Sequence, residues 1–196
     1  MTDAPTIRPA RKSDASDIAL LINIAAHGGP AQGWAADKDA AGTYDPIEVG
    51  RLRALDAASS FTWRNASMAE CDGEIAGMLL GYREPDRGRP APPDAPPPFV
   101  PLFELEAEAE GAWYINMLAT HIRWRGRGVG SMLLGLAARK QAETDARRQA
   151  LIVEDVNTGA RRLYERHGFR IGARRKIVSF PGGGPEGEEW LLMVKD

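Results

Sequence analysis

Cysteine is almost absent from this 196-residue chain: Cys71 stands alone, so an intrachain disulfide and a thiolate metal cluster are both excluded. The three histidines, His27, His121 and His167, are far apart and show no ligand spacing, so no metal is expected. Long apolar runs are missing too, none nearing the roughly 20 residues that span a bilayer. Met1-Thr2-Asp3-Ala4-Pro5 has neither the basic nor the apolar stretch of a leader. A cytoplasmic protein with no membrane partner is expected. An excess of one charge is also lacking, since the formal net charge is −2 and the basic residues are scattered, which argues against nucleic acid as a partner. The length suits a single domain with one well-buried core.

What is present is an alternation of strand and helix signals. Thr6-Ile7-Arg8-Pro9 reads as a first strand, and Ser13 is placed to cap a helix whose Ile18, Leu21, Ile22 and Ala25 share one face. His27-Gly28-Gly29-Pro30 ends it. The stretch from there to Thr43 has no period and reads as surface loop, with the lining of a site as the alternative, after which Asp45-Pro46 opens a helix through Ala57. Phe61 to Cys71 and Glu74 to Arg83 form two strands joined by a tight Asp72-Gly73 turn. Residues 84–111 hold eight of the fourteen prolines and then the acidic run Phe103-Glu104-Leu105-Glu106-Ala107-Glu108-Ala109-Glu110, and read as a long insertion at one end of a sheet. Ala112 to Thr120 is an apolar strand. A helix from Gly128 to Thr144 follows, with Val129, Met132, Leu133, Leu136 and Ala137 on one face. Ala150 to Val153 is a short buried strand, and Asn157 caps a helix that runs to His167 and stops at Gly168. Phe169 to Phe180 and Glu188 to Lys195 complete a set of about seven strands and four helices, the last two strands separated by the loop 181–187.

Between the strand ending at Thr120 and the long helix lies Arg123-Trp124-Arg125-Gly126-Arg127-Gly128-Val129-Gly130-Ser131. Alternate glycines let successive N–H groups approach one anion, and a helix start adds its own unpaired donors and dipole. The local reading is a phosphate-binding turn. A Rossmann dinucleotide site is the competitor, with Glu154 or Asp155 as its acidic residue, but His121 to Arg125 intervene before the glycines and Ser131 stands where the third glycine belongs. A Walker loop is ruled out because no Lys-Ser or Lys-Thr follows.

Two signatures over Trp113 to Arg170 carry a family resemblance. Leu118-Ala119-Thr120, the spacer ending in Trp124, and Arg125-x-x-Gly128-x-Gly130 resemble the acetyl-CoA motif of the GNAT superfamily of N-acetyltransferases. Val153-Glu154-Asp155-Val156-Asn157 and Ala160 to Phe169, with Leu163-Tyr164-Glu165 and Gly168-Phe169, are similar to its second signature. The resemblance implies an α/β, GNAT-like single domain over 1–196, with a mixed, mostly antiparallel sheet splayed in the middle, and acetyl-CoA as acyl-donor substrate. Backbone groups at Leu118, Ala119 and Thr120 would hold pantetheine and the acetyl carbonyl, the amides from Gly126 to Ser131 (Gly126, Arg127, Gly128, Val129, Gly130, Ser131) the pyrophosphate, with Arg125 and Arg127 adding charge. A homodimer is compatible with the family.

The implied reaction is attack of a neutral amine on the thioester through a tetrahedral oxyanion. Tyr164 matches the family's general acid, the alternative being a core aromatic with its hydroxyl satisfied locally. Asn157 divides between an N-cap and a pantetheine ligand. The glutamate that many members carry five residues before that asparagine is Ile152 here. Glu154, on the same strand face, is the first candidate base, Glu104 and Glu106 the second, and a water relay the third. His121 reads as a loop residue, His167 as packing at a helix end, and Asn116 as either facing the acceptor or bonded within the sheet. Acidic residues 104–110 at a site mouth would favour a cationic acceptor, a small-molecule or peptide amine. A non-catalytic acyl-CoA-binding sensor or regulatory module is the alternative function, favoured by the isoleucine at 152.

Overall fold

The computed structural model describes residues 5–37, 42–43, 45–180 and 184–196. Among these residues seven strands form one sheet in the order β1-β2-β3-β4-β5-β7-β6. These are β1 (Thr6–Pro9), β2 (Ala66–Cys71), β3 (Glu74–Arg83), β4 (Trp113–Thr120), β5 (Gln149–Glu154), β6 (Arg170–Lys176) and β7 (Glu189–Lys195). Six α-helices accompany them among the described residues: α1 (Ala15–Ala25), α2 (Gly29–Asp37), α3 (Pro46–Leu55), α4 (Val100–Glu108), α5 (Val129–Glu143) and α6 (Thr158–Arg166). The chain divides into two compact units, one made of residues up to Leu80 with Met117–Leu133, the other of Gly81–Asn116 with Leu134–Asp196.

In the first unit β1 and β2 pair antiparallel, as do β2 and β3. The β2–β3 turn works because Asp72 and Gly73 both take positive φ, 51° and 76°, which matches the twist of a tight hairpin. Strand β2 starts later than expected, since Trp63–Asn65 make a 3₁₀ turn before it. Helix α1 buries Ile18, Ala19, Leu21 and Ile22, the face its spacing predicts. Its entry is built by Asp14, not Ser13. A 3₁₀ turn over Lys12–Asp14 brings the Asp14 carboxylate to the N–H of Arg11 at 2.6 Å and to both Nη atoms of Arg8 at 2.7 and 3.0 Å. Arg8 Nε also donates to Glu70 at 2.7 Å, so β1, β2 and the entry to α1 are tied at one point.

That arrangement has a measurable consequence. The Arg8 guanidinium, acting mainly through its hydrogen bond, holds the buried Asp14 carboxyl below the usual range. A depressed carboxyl pKa stabilises the fold above its unfolded value of about 3.9, and the gain disappears as pH falls through the folded value. Asp14→Asn is therefore expected to cost roughly 1–3 kcal/mol near pH 7. The deficit against wild type should shrink in denaturant titrations below about pH 4. A deficit independent of pH would mean that the carboxylate charge is not its source.

The stretch read as loop after His27 contains α2. It lacks an apolar period because a single side chain anchors it: Trp34, 5% exposed, lies so close to Gly50 of α3 that a Cβ there would sit 2.5 Å from the indole. Residues 38–41 and 44 of that stretch lie outside the described residues, as do Met1 to Ala4 and 181–183 of the later loop. Helix α3 begins as expected, with Asp45 accepting the Ile47 N–H at 2.9 Å, and ends two residues sooner than Ala57, at Leu55.

In the second unit β4 and β5 run parallel over three residue pairs, Trp113–Gln149, Tyr114–Ala150 and Ile115–Leu151. Strand β7 pairs antiparallel with both β5 and β6. The acidic run proves to be helix α4, a second addition to the four helices expected. Glutamate, leucine and alanine are strong helix formers, Pro101 is tolerated in the first turn, and Pro97–Phe99 supply a 3₁₀ lead-in. Leu105 and Ala109, one turn apart, enter a core with Ala112, Tyr114, Ala150, Leu192 and Val194. On its outer side Glu104 and Glu108 grip Arg175 of β6 at 2.6 and 2.5 Å. No described helix is long and apolar enough to cross a membrane, and no group of metal ligands occurs among the described residues.

Candidate active site

In the first unit, β4 leads through His121 and a 3₁₀ turn, Ile122–Trp124, into the glycine turn and α5. The His121 N–H donates to Ala76 of β3 at 2.9 Å, which confirms its place as a loop residue fastened to the sheet. Gly126 and Gly128 take positive φ, 74° and 84°, and no atom lies within 4 Å of where a Cβ would stand on either. The turn is therefore open backbone in a conformation that side chains resist. The Met132 N–H donates to Gly128 C=O at 3.0 Å, which ties the glycine turn into the first turn of α5. An anion fits such a cradle.

The arginines divide. Arg123 forms an ion pair with Glu74. The guanidinium groups of Arg123 and Arg127 lie over the buried Trp124 ring at 5.5 and 5.0 Å, and Arg125 Nε donates to Thr120 C=O at 3.3 Å. Trp124 thus acts as the peg of the turn, and the two arginines on it are held beside the glycines as cation–π partners. Leu118, Ala119 and Thr120 close β4, with Ala119 C=O only 2.5 Å from where a Cβ on Gly77 would fall. Gly77 is a residue that the sequence reading passed over. A lone glycine inside a strand is the signal of close backbone approach that would have found it.

In the second unit Asn157 caps α6, its Oδ1 accepting the Ala160 N–H at 3.2 Å. Tyr164 faces inward, 7% exposed, its ring 6.0 Å from that of Phe169, and burial pushes its hydroxyl up to about 12. His167 ends α6 half-buried, its pKa lowered by burial and by nearby Lys195 and Arg166.

The three carboxylates singled out as candidate bases part company. Glu104 is exposed and held by Arg175. Glu154, 7% exposed at the end of β5, accepts the Glu186 N–H at 3.2 Å, while its neighbour Asp155 accepts that of Glu188 at 3.1 Å. These two carboxylates moor the 184–188 segment to β5. Glu106, half-buried on α4, accepts from the Tyr114 hydroxyl at 3.3 Å. Tyr114 meets Tyr82 edge-on at 6.0 Å, and Asn116 Nδ2 donates to Tyr82 Oη at 3.2 Å. Asn116 is thus bonded within the sheet.

The chain matches the acetyltransferase (GNAT) family over residues 34–169 and belongs to that family. It is an acetyltransferase enzyme. Similar solved structures include an acetyltransferase crystal structure at 23% identity, with a TM-score of 0.65 and coverage of 97% of this chain and 98% of that one. An N-acetyltransferase from Staphylococcus aureus Mu50 is 17% identical, with a TM-score of 0.61 over 96% and 99% of the two chains. Arabidopsis thaliana Naa50 in complex with the bisubstrate analogue CoA-Ac-MVNAL is 16% identical, with a TM-score of 0.61 over 99% of each chain. At these identities the likeness is one of fold. Comparison with curated protein sequences gives no match.

Proposed function

We propose that this chain is an N-acetyltransferase that moves the acetyl group of acetyl-CoA to a primary amine of a small molecule or peptide, in the cytoplasm, where a lone thiol such as Cys71 stays reduced. Residues 1–196 form the transferase domain, with 84–111 as its insertion. The observation that carries the reading is the glycine turn: two positive-φ glycines with open space above them, leading into the start of a fifteen-residue helix. Oriented amides at a helix N-terminus match the charge of a pyrophosphate and leave its approach unobstructed.

Each group then has a role. Amides from Gly126 to Ser131 hold the pyrophosphate, with Arg125 and Arg127 at its edge, and Asn157 combines its cap with a pantetheine contact. Backbone groups of Leu118, Ala119 and Thr120 hold pantetheine and the acetyl carbonyl, whose oxygen gains charge as the amine attacks; an N–H placed there stabilises that charge more than it does the ground state. Tyr164 gives a proton to the departing thiolate. The amine's proton passes to a carboxylate, for which Glu154, buried, and Glu106, half-buried, are the two candidates. CoA, when bound, supplies the activated acyl carbon and the leaving group.

Binding is tested by thermal shift. Acetyl-CoA at ~100 times its dissociation constant adds roughly 2.7 kcal/mol, a rise of about 5–10 °C for a protein of this size. No rise with acetyl-CoA removes the donor assignment. CoA release over a panel of amines, with product masses, then separates a transferase from an acyl-CoA-binding module that shows the shift without turnover.

A further inference from the structure

One face of the second unit's sheet gathers polar groups around Glu106, one of the two candidate carboxylates. Tyr82, Tyr114 and Ile152 pack there with Trp190 around the core that Leu105 and Ala109 of α4 enter. Tyr114 is buried, whereas Tyr82, Glu84, Glu106, Asn116, Ile152 and Trp190 are each half-buried, so the polar groups around it are within reach of solvent. The hydroxyl and amide chain Asn116–Tyr82 and the bond Tyr114–Glu106 fix the geometry. The Trp190 indole N–H is buried and has no hydrogen-bond partner among the described residues.

We propose that Glu106 is the catalytic proton acceptor, taking a proton from an amine that arrives on this face as a primary ammonium ion. The assignment rests on the transferase reading above. Glu106 has no ion-pair partner among the described residues, in contrast to Glu104 and Glu108 on the same helix, which share Arg175. Around it the elements packed on α4 offer little positive charge. Arg174 of β6 is engaged by Glu189 of β7, Lys195 of β7 lies beside Gly168, and Glu154 of β5 accepts the Glu186 amide. Arg148 donates to the Glu108 carbonyl, and Arg89 acts on Glu84. What faces Glu106 directly is a carboxylate and a phenol. Burial and the Glu84 carboxylate raise its pKa to about 7, against a smaller lowering by the Tyr114 hydrogen bond. Glu84 is itself raised by burial. A carboxylate short of counter-charge, beside two tyrosines, suits an ammonium ion, and its basicity is suited to removing one proton near neutrality.

The step balances. One proton passes from the ammonium to a Glu106 carboxylate oxygen, and the freed nitrogen lone pair forms the C–N bond to the acetyl carbon. The C–S bond then breaks, the thiolate takes up a proton, and the amide nitrogen loses its second proton. Ammonium and acetyl-CoA give the N-acetyl amine, CoA thiol and one proton.

The test uses the full chain with a polyamine, an aminoglycoside and a short peptide as acceptors, with CoA release followed from pH 5 to 10. In wild type kcat/KM for the amine should rise with unit slope and level near pH 7, as Glu106 ionises. Glu106→Gln should lose roughly 100-fold or more at pH 7. Its rise should move up to the amine's own pKa, so that activity recovers in alkali, with the acetyl-CoA thermal shift intact. Tyr114→Phe keeps the ring and removes the bond that lowers Glu106, so its limb should move to higher pH. Glu143→Gln, on the wet side of α5, serves as the control. Should Glu106→Gln fail to fold, an unmoved limb in Tyr114→Phe overturns the assignment. An unchanged profile in Glu106→Gln overturns it too, as does loss of the limb in Glu154→Gln instead. Wild type that binds acetyl-CoA and releases no CoA with any amine overturns the transferase reading and this assignment together.

Discussion

Tyr164→Phe is expected to lower kcat by roughly 100-fold or more and to leave the acetyl-CoA thermal shift unchanged. The substitution deletes one oxygen and keeps the ring on Phe169, so packing in the second unit is preserved. Its effect is confined to the chemistry of the departing sulfur. A thiol of ordinary acidity, with a pKa of about 8.5, makes a tolerable leaving group, but in a site closed to water the thiolate charge has to be met by a donor. Tyr164 is suited to that by burial, which pushes its pKa up to about 12 and so keeps the hydroxyl protonated at every pH where the protein is folded and working. Proton transfer from a hydroxyl at about 12 to a thiolate of about 8.5 is uphill even with the charge on sulfur, so the hydroxyl contributes by donating to the sulfur as that charge develops, in the transition state, and the effect falls on kcat. No alkaline loss of activity below about pH 11 should be traceable to this hydroxyl. Wild-type turnover in the variant would remove Tyr164 from the role. An equal loss of acetyl-CoA binding would recast it as a binding residue.

The parts of this molecule that were legible in sequence are those made by local chemistry. Asp72-Gly73 dictates its turn wherever it occurs, Asn157 and Gly168 bracket α6, and the glycines before α5 advertise an open backbone. The parts that were not legible depend on partners far along the chain. Helix α2 has no periodic face and is held through one tryptophan on Gly50. Helix α4 follows a run of prolines, and its charged side is explained only by Arg175, 71 residues from Glu104. Its Leu105 and Ala109 spacing was a legible helix signal beneath the acidic composition. The candidate bases illustrate the same limit. Glu154, Glu104 and Glu106 are equivalent as letters, and separate only once a backbone amide, an arginine and a tyrosine have been brought to each by the fold. Arg125 and Arg127 are likewise equal in charge to any phosphate-binding pair. The structure adds that Trp124 holds one and the Thr120 carbonyl the other.

Gly77→Ala should act on stability and on donor binding together, through a contact with no counterpart in the motifs. A Cβ at this position of β3 would lie 2.5 Å from Ala119 C=O, 3.2 Å from Val129 Cγ1 and 3.4 Å from Thr120 Cα. The first of these atoms belongs to the backbone and cannot rotate away, so the end of β4 has to shift. Elsewhere in the chain the same substitution should have the opposite sign. Gly135, inside α5 with nothing within 4 Å of a Cβ, should gain roughly 0.5–1 kcal/mol as alanine, from helix propensity and a less disordered unfolded state. At Gly77 that gain is overtaken by overpacking, which costs about 1–3 kcal/mol in ordinary cores and is at the upper end where the obstacle is main chain. The displaced segment, Ala119 and Thr120 with Val129 beyond it, is also the one proposed to hold pantetheine and to start the pyrophosphate helix. A shift of several tenths of an ångström there misaligns several hydrogen bonds at once, and at about 1.4 kcal/mol per decade the loss of one or two lowers acetyl-CoA affinity by roughly tenfold. Thermal unfolding of Gly77→Ala and Gly135→Ala, each with and without acetyl-CoA, reads both effects. A Gly77→Ala protein as stable as wild type would show that β3 does not approach β4 this closely. One that is destabilised yet binds acetyl-CoA normally would separate the end of β4 from the donor site.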